Sequence, residues 1–371
     1  MQQINKTMKT TIVGGGNIGT QFAVHCAEKG HEVTIYTSKP ELFDMHLNIV
    51  DETGAVTHAG DIKSSTFDPK EAFGNTELII VTLPATMMRR IAETIYSYSS
   101  SNAVIGVVPG GGGSECAFRK CIERGNTFFG IERVPAIARL IQKGKTVKST
   151  GYRDELHISA FPHKKADECA KLIGSIFDKK TTVIPNYLNL TLMPSNPILH
   201  TTRLRTLFND WHEGVVYKRV PLFYEEWNDA SSELLIACDD ELQKICRALP
   251  EFDLQYVRSL RLHYESMTAQ AMTKKISSIP AFKGLPSPTV NVDGGLIPDL
   301  NSRYFTADFS YGLSIIKQIA VFACVDTPNI DETLDWYKRI ALNKDKFCFS
   351  DYGINNIDDL RQFYCQSVPK H

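Results

Sequence analysis

The sequence predicts an α/β dinucleotide-binding domain of the Rossmann type over residues 1–185, followed by an all-α domain over residues 186–371. Three observations predict it. A glycine turn, Gly14-x-Gly16-x-x-Gly19, lies between a β-branched run and an apolar helical stretch near the start of the chain. Short strand-like runs recur as far as Pro185 and then stop. Beyond that point apolar residues recur at helical spacing instead. A chain of 371 residues is also too long for one small core, which fits two domains.

The first element group is KTTIVGGGNIGTQFAVHCAEKGHEVTIYTSKP, residues 9–40. Thr10–Val13 reads as a strand, and Phe22, Ala23 and Cys26 share one face of the helix that follows. Gly30 is a plausible helix C-cap and Val33–Tyr36 a second strand. Within the turn, Gly14 permits the tight bend, Gly16 lets backbone approach a pyrophosphate, and Gly19 lets helix pack on strand. Asn17 and Ile18 belong to the same cofactor-binding turn.

Cofactor choice is read at the end of the second strand, where an NAD site carries Asp or Glu for the ribose hydroxyls. Thr37-Ser38-Lys39 stands there instead. Two hydroxyls and a cation suit a 2′-phosphate, so NADP(H) is favoured. In the NAD alternative, Ser38 touches a ribose hydroxyl and Lys39 points to solvent.

Two further loops fit the same sheet. ELIIVTLPATMMRRIAETI (77–95) is a buried strand ending at Thr82, with Pro84-Ala85 opening an amphipathic helix. AVIGVVPGGGGSE (103–115) is a strand running into Gly110–Gly113. Loops at the carboxyl ends of such strands border the ligand crevice, which places Leu83, Pro84, Gly110 and Gly111 near the cofactor. The alternative for the four glycines is a flexible surface loop. Strands at Thr127–Ile131, Leu156–Phe161 and Thr182–Ile184 complete the domain.

In the second half, Leu235, Cys238, Leu242, Ile245 and Leu249 form one helical stripe, preceded by the acidic, aromatic FYEEWNDASSE. Leu313, Ile316, Ala320 and Val321 form another. TPNIDETLDWYKRIAL (327–342) opens with a Thr N-cap and Pro at the first helical position. Residues 281–305 read as a long Pro/Gly-rich loop, a length often tied to function.

Charge and cysteine usage exclude several classes. Lys+Arg 41 against Asp+Glu 42 leaves no basic field for nucleic acid or an anionic membrane. GLSIIKQIAVFACV (312–325) is too short to span a bilayer and is expected as a buried helix. Nine scattered cysteines form no CxxC and no metal-like spacing, and MQQINKTMKT lacks the apolar core of a signal peptide. Reduced thiols in a cytoplasm, and no metal, are the expectation.

SNPILHTTRL (195–204), RYFTADFSYGL (303–313) and the TPNID helix start, with VPGGGGSE and FGIERVPAIARL (129–140), resemble the octopine/nopaline (opine) dehydrogenase family. The resemblance runs over most of the chain, in the same order. Its most specific pieces are Asn-Pro-x-x-His and the Arg303/Asp308 pair followed by Gly-Leu. Ala307 and Ser310 stand where the family pattern has glutamate and proline.

The resemblance implies a helical domain of the 6-phosphogluconate dehydrogenase C-terminal type. It also implies an oxidoreductase that joins an amino acid to a 2-keto acid and reduces the imine with a nicotinamide hydride. It makes His200 the acid–base group and Asp308 the carboxylate that fixes its tautomer. Arg303 would hold a carboxylate or the cofactor pyrophosphate. Asn196 counts with the substrate site, and Glu132 either receives the amine end of the amino acid or pairs with Arg133 or Arg139. His25, His157 and His163 show no partner pattern, and His212 is a minor rival to His200. Helical domains in such enzymes often pair, so a homodimer is among the partners expected. The rival readings are a ketopantoate-reductase-like enzyme acting on a keto acid alone and a non-catalytic NADP-sensing module.

Overall fold

The computed structural model describes residues 7–341 and 346–365. The described residues up to Leu190, joined by Tyr364 and Cys365, form one compact unit, and Thr191–Phe363 form the other. The division therefore falls five residues beyond the expected 185/186, and the end of the last helix belongs with the first unit.

The first unit is built on an eight-stranded sheet. Its strands are β1 Lys9–Val13, β2 Glu32–Tyr36, β5 Ser64–Thr66, β6 Leu78–Val81, β7 Val104–Val107, β8 Phe128–Ile131, β11 Glu155–Phe161 and β12 Lys180–Val183, in the order β12-β11-β8-β7-β6-β1-β2-β5. β1 pairs in parallel with β2 and β6, so it sits inside the sheet with both edges hydrogen-bonded. The uninterrupted apolar runs of β6 and β8 are what strands covered on both faces require. β11 lies antiparallel to β8, a reversal no periodicity reveals.

A second, four-stranded sheet is absent from the sequence expectation. β3 His46–Val50, β4 Val56–Asp61, β9 Ile137–Gln142 and β10 Thr146–Thr150 pair in the order β4-β3-β10-β9. β4 and β9 are largely solvated, so neither shows the apolar alternation by which strands are recognised. This sheet packs on α1 (Asn17–Glu28), whose other side lies on β1 and β2. A Cβ on Gly60 of β4 would stand 2.7 Å from the Ala27 Cβ, so glycine is what lets the sheet close on the helix. Gln21 Nε2 donates to Ser149 Oγ at 2.8 Å across the same contact. Covered from two sides, α1 buries Thr20, Gln21 and His25 as well as the expected Phe22, Ala23 and Cys26.

Two more helices complete what the argument needs from this unit, α2 Met88–Tyr98 and α3 Ala166–Phe177. α2 begins after a short 3₁₀ turn at Ala85–Met87.

The second unit is helical, with α4 Pro197–Leu207, α5 Asp229–Ala248, α6 Ala269–Ser278, α7 Ser314–Phe322 and α8 Pro328–Ile340. The stripe Leu235, Cys238, Leu242, Ile245, Leu249 is buried as expected. The other stripe needs correction: Leu313, Ile316 and Ala320 are buried, but Val321 is 58% exposed because the covered face of α7 runs through Ile315 and Ile319. The expected helix over 312–325 is a π turn, Phe309–Leu313, continuing into α7.

The segment 281–305 is not a plain loop. It contains a hairpin, Thr289–Val292 with Gly295–Pro298, closed by Asp293-Gly294. Thr327 occupies the N-cap position of α8 without capping it. Its hydroxyl accepts from Lys317 Nζ at 3.0 Å, while the buried Glu241 carboxylate of α5 accepts the Asn329 and Ile330 N–H groups at 2.8 and 3.0 Å. Leu342, the last residue of the expected helix, lies outside the described residues. Among the described residues no helix is long and apolar enough to cross a membrane.

Candidate active site

In the first unit the glycine turn has the geometry its three glycines require. Gly14 adopts φ +106, and a Cβ there would lie 2.9 Å from Thr82 Oγ1 and 3.0 Å from Leu83 Cδ2. A Cβ on Gly19 would fall 1.7 Å from the Gly14 carbonyl oxygen, so helix and turn touch backbone to backbone. Gly16 differs: no atom lies within 4 Å of where its Cβ would be. It is the N-cap of α1 and offers no side chain to the first-turn N–H groups, which leaves them for an anion. Asn17 has a structural partner, since its Oδ1 accepts the Leu140 N–H at 2.8 Å, and Ile18 packs against the core.

At the end of β2, Ser38 and Lys39 are exposed, and the Lys39 N–H donates to Thr37 Oγ1 at 3.4 Å. Among the described residues no carboxylate pairs with the Lys39 ammonium. Leu83 is half-buried beside Gly14 and Pro84 is exposed. The four-glycine run is more tightly packed than a mobile loop. A Cβ on Gly110 would meet Gly130 Cα at 2.7 Å and Tyr187 Oη at 3.0 Å, and one on Gly111 would meet the Leu190 carbonyl oxygen at 3.3 Å. The glycine at 110 is thus explained by strand packing, while Gly112 and Gly113 carry the positive φ of the turn.

Glu132 follows β8 and is already partnered. Its Oε2 lies 2.5 Å from His157 Nδ1 and its Oε1 accepts from Arg133 Nε at 3.2 Å. Burial works against its charge, but the His157 hydrogen bond and the charges of Arg133, His157 and Arg153 outweigh it and hold the carboxyl below the usual range. His157, which shows no partner pattern in the sequence, is the partner that matters most here; Arg139 instead bonds the Ala138 carbonyl. His163 lies 3.4 Å from the Ile184 carbonyl oxygen, and the exposed His212 lies beside the Glu213 carbonyl.

In the second unit the candidate residues 200 and 308 meet. His200 Nδ1 lies 2.7 Å from Asp308 Oδ2, with both side chains largely buried at 11% and 17% exposure. Two features of the backbone make this approach. Pro197 starts α4 one turn before His200, where its missing N–H costs nothing. Asp308 sits at the start of the π turn, a helix form frequent at functional sites. Gly312 of that turn presses on the start of α4: a Cβ there would stand 2.9 Å from Pro197 Cγ.

The third member is Tyr224, whose hydroxyl lies 2.8 Å from His200 Nε2. A carboxylate only accepts, so in the neutral imidazole Nδ1 carries the proton toward Asp308 and Nε2 accepts from the Tyr224 O–H. Burial first, then the neighbouring phenols of Tyr304 and Tyr264 and the charge of Asp308, push the Tyr224 pKa upward, so it remains a neutral donor. Its ring stacks on Phe282 at 4.1 Å, and the Tyr304 ring stands edge-on to His200 at 4.7 Å.

Arg203 fixes the segment that carries Tyr224. It is 1% exposed, one turn after His200, and donates to the carbonyls of Phe223 at 2.8 Å, Leu222 at 3.1 Å and Glu226 at 2.7 Å, and to Ser231 Oγ at 3.0 Å. Burial lowers its pKa to about 10, offset in part by Glu226, so it stays charged. Neither residue is marked out by the sequence. Arg203 is a letter of SNPILHTTRL and Tyr224 a letter of FYEEWNDASSE, yet nothing in their spacing links 200 to 224.

The remaining candidates are near but not joined to this chain. Arg303 is exposed, and its guanidinium has no hydrogen-bond or ion-pair partner among the described residues. Asn196 is the exposed N-cap of α4; its carbonyl accepts the His200 N–H at 3.0 Å, and its side chain makes no cap bond.

Comparison with known proteins divides along the two units. Residues 183–341 match the NAD/NADP octopine/nopaline dehydrogenase alpha-helical domain, and residues 10–162 match the ketopantoate reductase family. Octopine dehydrogenase of Mizuhopecten yessoensis is 26% identical over 361 residues that cover 89% of each chain. The fold is like that of an octopine dehydrogenase solved with NADH and L-arginine, with TM-score 0.83 and 23% identity over 98% of this chain and 99% of that one. It is also like yersinopine dehydrogenase with NADP+ bound, with TM-score 0.63 and 12% identity over 90% of each chain.

Proposed function

The chain belongs to the opine dehydrogenase family of NAD(P)-dependent oxidoreductases, and we propose that it condenses the amino group of an amino acid with a 2-keto acid and reduces the resulting imine. The observation that carries this reading is the Asp308–His200–Tyr224 chain. Condensation requires a proton to leave an ammonium and a proton to return as water is expelled. A histidine can do both near neutral pH. In the arrangement proposed, the substrate ammonium gives its proton to Tyr224 Oη as the Tyr224 hydroxyl proton passes to His200 Nε2. Asp308 stabilises the imidazolium, and the same path returns the proton to the departing hydroxyl. Arg203 keeps Tyr224 in register with the imidazole, and the exposed guanidinium of Arg303 suits an anion, either a substrate carboxylate or the cofactor pyrophosphate.

The nucleotide would be held by the Gly14–Gly19 turn, the first-turn N–H groups of α1, and Thr37, Ser38 and Lys39 at the end of β2. Bound there, the reduced nicotinamide supplies the hydride that turns the C=N bond into an amine. An uncompensated Lys39, with Thr37-Ser38-Lys39 rather than a carboxylate at the end of β2, supports NADPH as the preferred form. The nine free cysteines support a reducing, cytoplasmic setting.

The match of residues 10–162 to ketopantoate reductases favours a second reading, reduction of a keto acid without an amine. Cofactor oxidation over a grid of amino acids and 2-keto acids separates the two. Consumption that needs both partners is expected. Consumption with keto acid alone would favour the second reading, and none with any pair would sink both.

A further inference from the structure

A cluster in the first unit takes no part in the proposed reaction. His25 and Glu28 lie three residues apart on α1, so they share a face. β4 of the second sheet lays His58 across that face. Glu28 Oε2 is 2.8 Å from His58 Nδ1 and 3.9 Å from His25 Nδ1, and the two imidazole centroids are 4.5 Å apart. All three donor atoms lie within 4.8 Å of one another.

We propose that His25, Glu28 and His58 form a binding site for a divalent transition cation of the zinc type, with the fourth position left to water. Two imidazoles and a carboxylate are a donor set such a cation takes. Metal–ligand bonds of about 2.0–2.2 Å in a tetrahedron place ligand atoms about 3.3–3.6 Å apart. The Glu28–His58 separation must open and the Glu28–His25 separation close, each by roughly half an ångström, and the widest gap in the set, up to 4.8 Å, must close by about 1.2–1.5 Å, through rotation of the partly exposed Glu28 and His58 side chains.

A surface Glu–His ion pair accounts for the His58 contact, but at 3.9 Å from Glu28 Oε2 it leaves His25 Nδ1 without a hydrogen bond among the described residues. That ring is 2% exposed, packs against Phe177 at 4.7 Å, and has its Nε2 3.0 Å from Tyr152 Oη. With Nε2 donating to the phenol, Nδ1 is left with its lone pair facing Glu28 and His58, as in a metal-bound histidine whose other ring N–H is held by a hydrogen-bond acceptor. The nearby Lys29 ammonium is paired with Asp178 at 2.5 Å, which reduces its opposition to a cation. A bound ion would clip α1 to the second sheet and so stabilise the nucleotide-binding unit without entering the chemistry at His200.

The test uses the full, tag-free chain after treatment with a chelator. Equilibrium dialysis against Zn²⁺ should give one bound equivalent and a raised melting temperature. His58→Ala, a change at a partly exposed strand position, should weaken uptake about 10²-fold or more while circular dichroism and cofactor binding stay as in the wild type. Glu28→Gln is the second variant should His58→Ala fold poorly. With Co²⁺ the visible bands of a tetrahedral nitrogen–oxygen site should appear, without thiolate charge-transfer absorption. Uptake equal in wild type and variants, a thiolate band, or no uptake by the wild type would each overturn the assignment.

Discussion

Tyr224 Oη stands 2.8 Å from His200 Nε2 while Asp308 Oδ2 stands 2.7 Å from His200 Nδ1, so both ring nitrogens of one imidazole are engaged. Under the proposed acid–base role of His200, its Nε2 is reached through a phenol. Tyr224→Phe removes that path and keeps the stacking on Phe282 and Trp227. Turnover should fall by about 10²-fold, toward the lower end of what general acid–base groups contribute, with little change in thermal stability. An unchanged or higher kcat would mean that the phenol covers the nitrogen rather than serving it.

His200→Ala should lower turnover about 10²–10⁴-fold with near-normal cofactor affinity. Asp308→Asn should cause a related loss by unsettling the same tautomer. Steady-state kinetics on both single variants and the double variant check the coupling. Losses that multiply would show independent groups, whereas a unit gives a double variant hardly worse than the poorer single one.

Lys39→Ala should weaken NADPH binding about tenfold or more and leave NADH nearly untouched, since a charge-assisted hydrogen bond contributes roughly 1.5–3 kcal/mol. Fluorescence titration with each cofactor reads this directly. Equal losses for both would remove the 2′-phosphate reading of Ser38 and Lys39.

Arg203→Met should destabilise the fold by about 3 kcal/mol or more, because three carbonyls and Ser231 Oγ lose a buried donor. Arg203→Lys should recover little of this, as one ammonium cannot span the fork of contacts. Urea unfolding gives the stability, and a drop in kcat beyond the fraction unfolded would show that Tyr224 has shifted.

Asp239 offers a pH-dependent test. Its buried Oδ2 accepts the Leu260 N–H at 2.8 Å, while Oδ1 has no hydrogen-bond partner among the described residues. Burial, and secondarily the charge of Asp240, raises its pKa from 3.8 to about 6 against the pull of the Leu260 N–H, the Arg261 charge and the Gln243 amide. A folded-state pKa above the unfolded one means the unfolded chain loses its proton first as pH rises. The contribution of the protonated carboxyl is thus full below 3.8, is lost between 3.8 and about 6, and leaves a constant cost above that. At about 1.4 kcal/mol per pH unit the cost is of order 3 kcal/mol. Asp239→Asn should raise the melting temperature at pH 7 and change it little near pH 4; a gain of equal size at both would contradict the linkage.

The local chain determined the glycine turn, the strands on either side of it, and the apolar stripe of α5. Each rests on interactions within a few residues or on one-sided burial, which a sequence displays as period and composition. Only the tertiary structure decided the second sheet, whose polar strands carry no such period, and the full burial of α1 that follows from it. The same holds for the site. SNPILHTTRL shows no clear face because α4 is covered nearly all round, with Ile198, Leu199, Thr201, Thr202, Arg203 and Leu204 all buried. His200 therefore looks like any histidine in an apolar run until folding brings Asp308 and Tyr224 to its two nitrogens. Those contacts span 108 and 24 residues, and hydrogen bonds of a few ångströms between distant segments leave no trace in sequence spacing. Resemblance to a family supplied His200 and Asp308; Tyr224 and Arg203 came only from the packing that holds them.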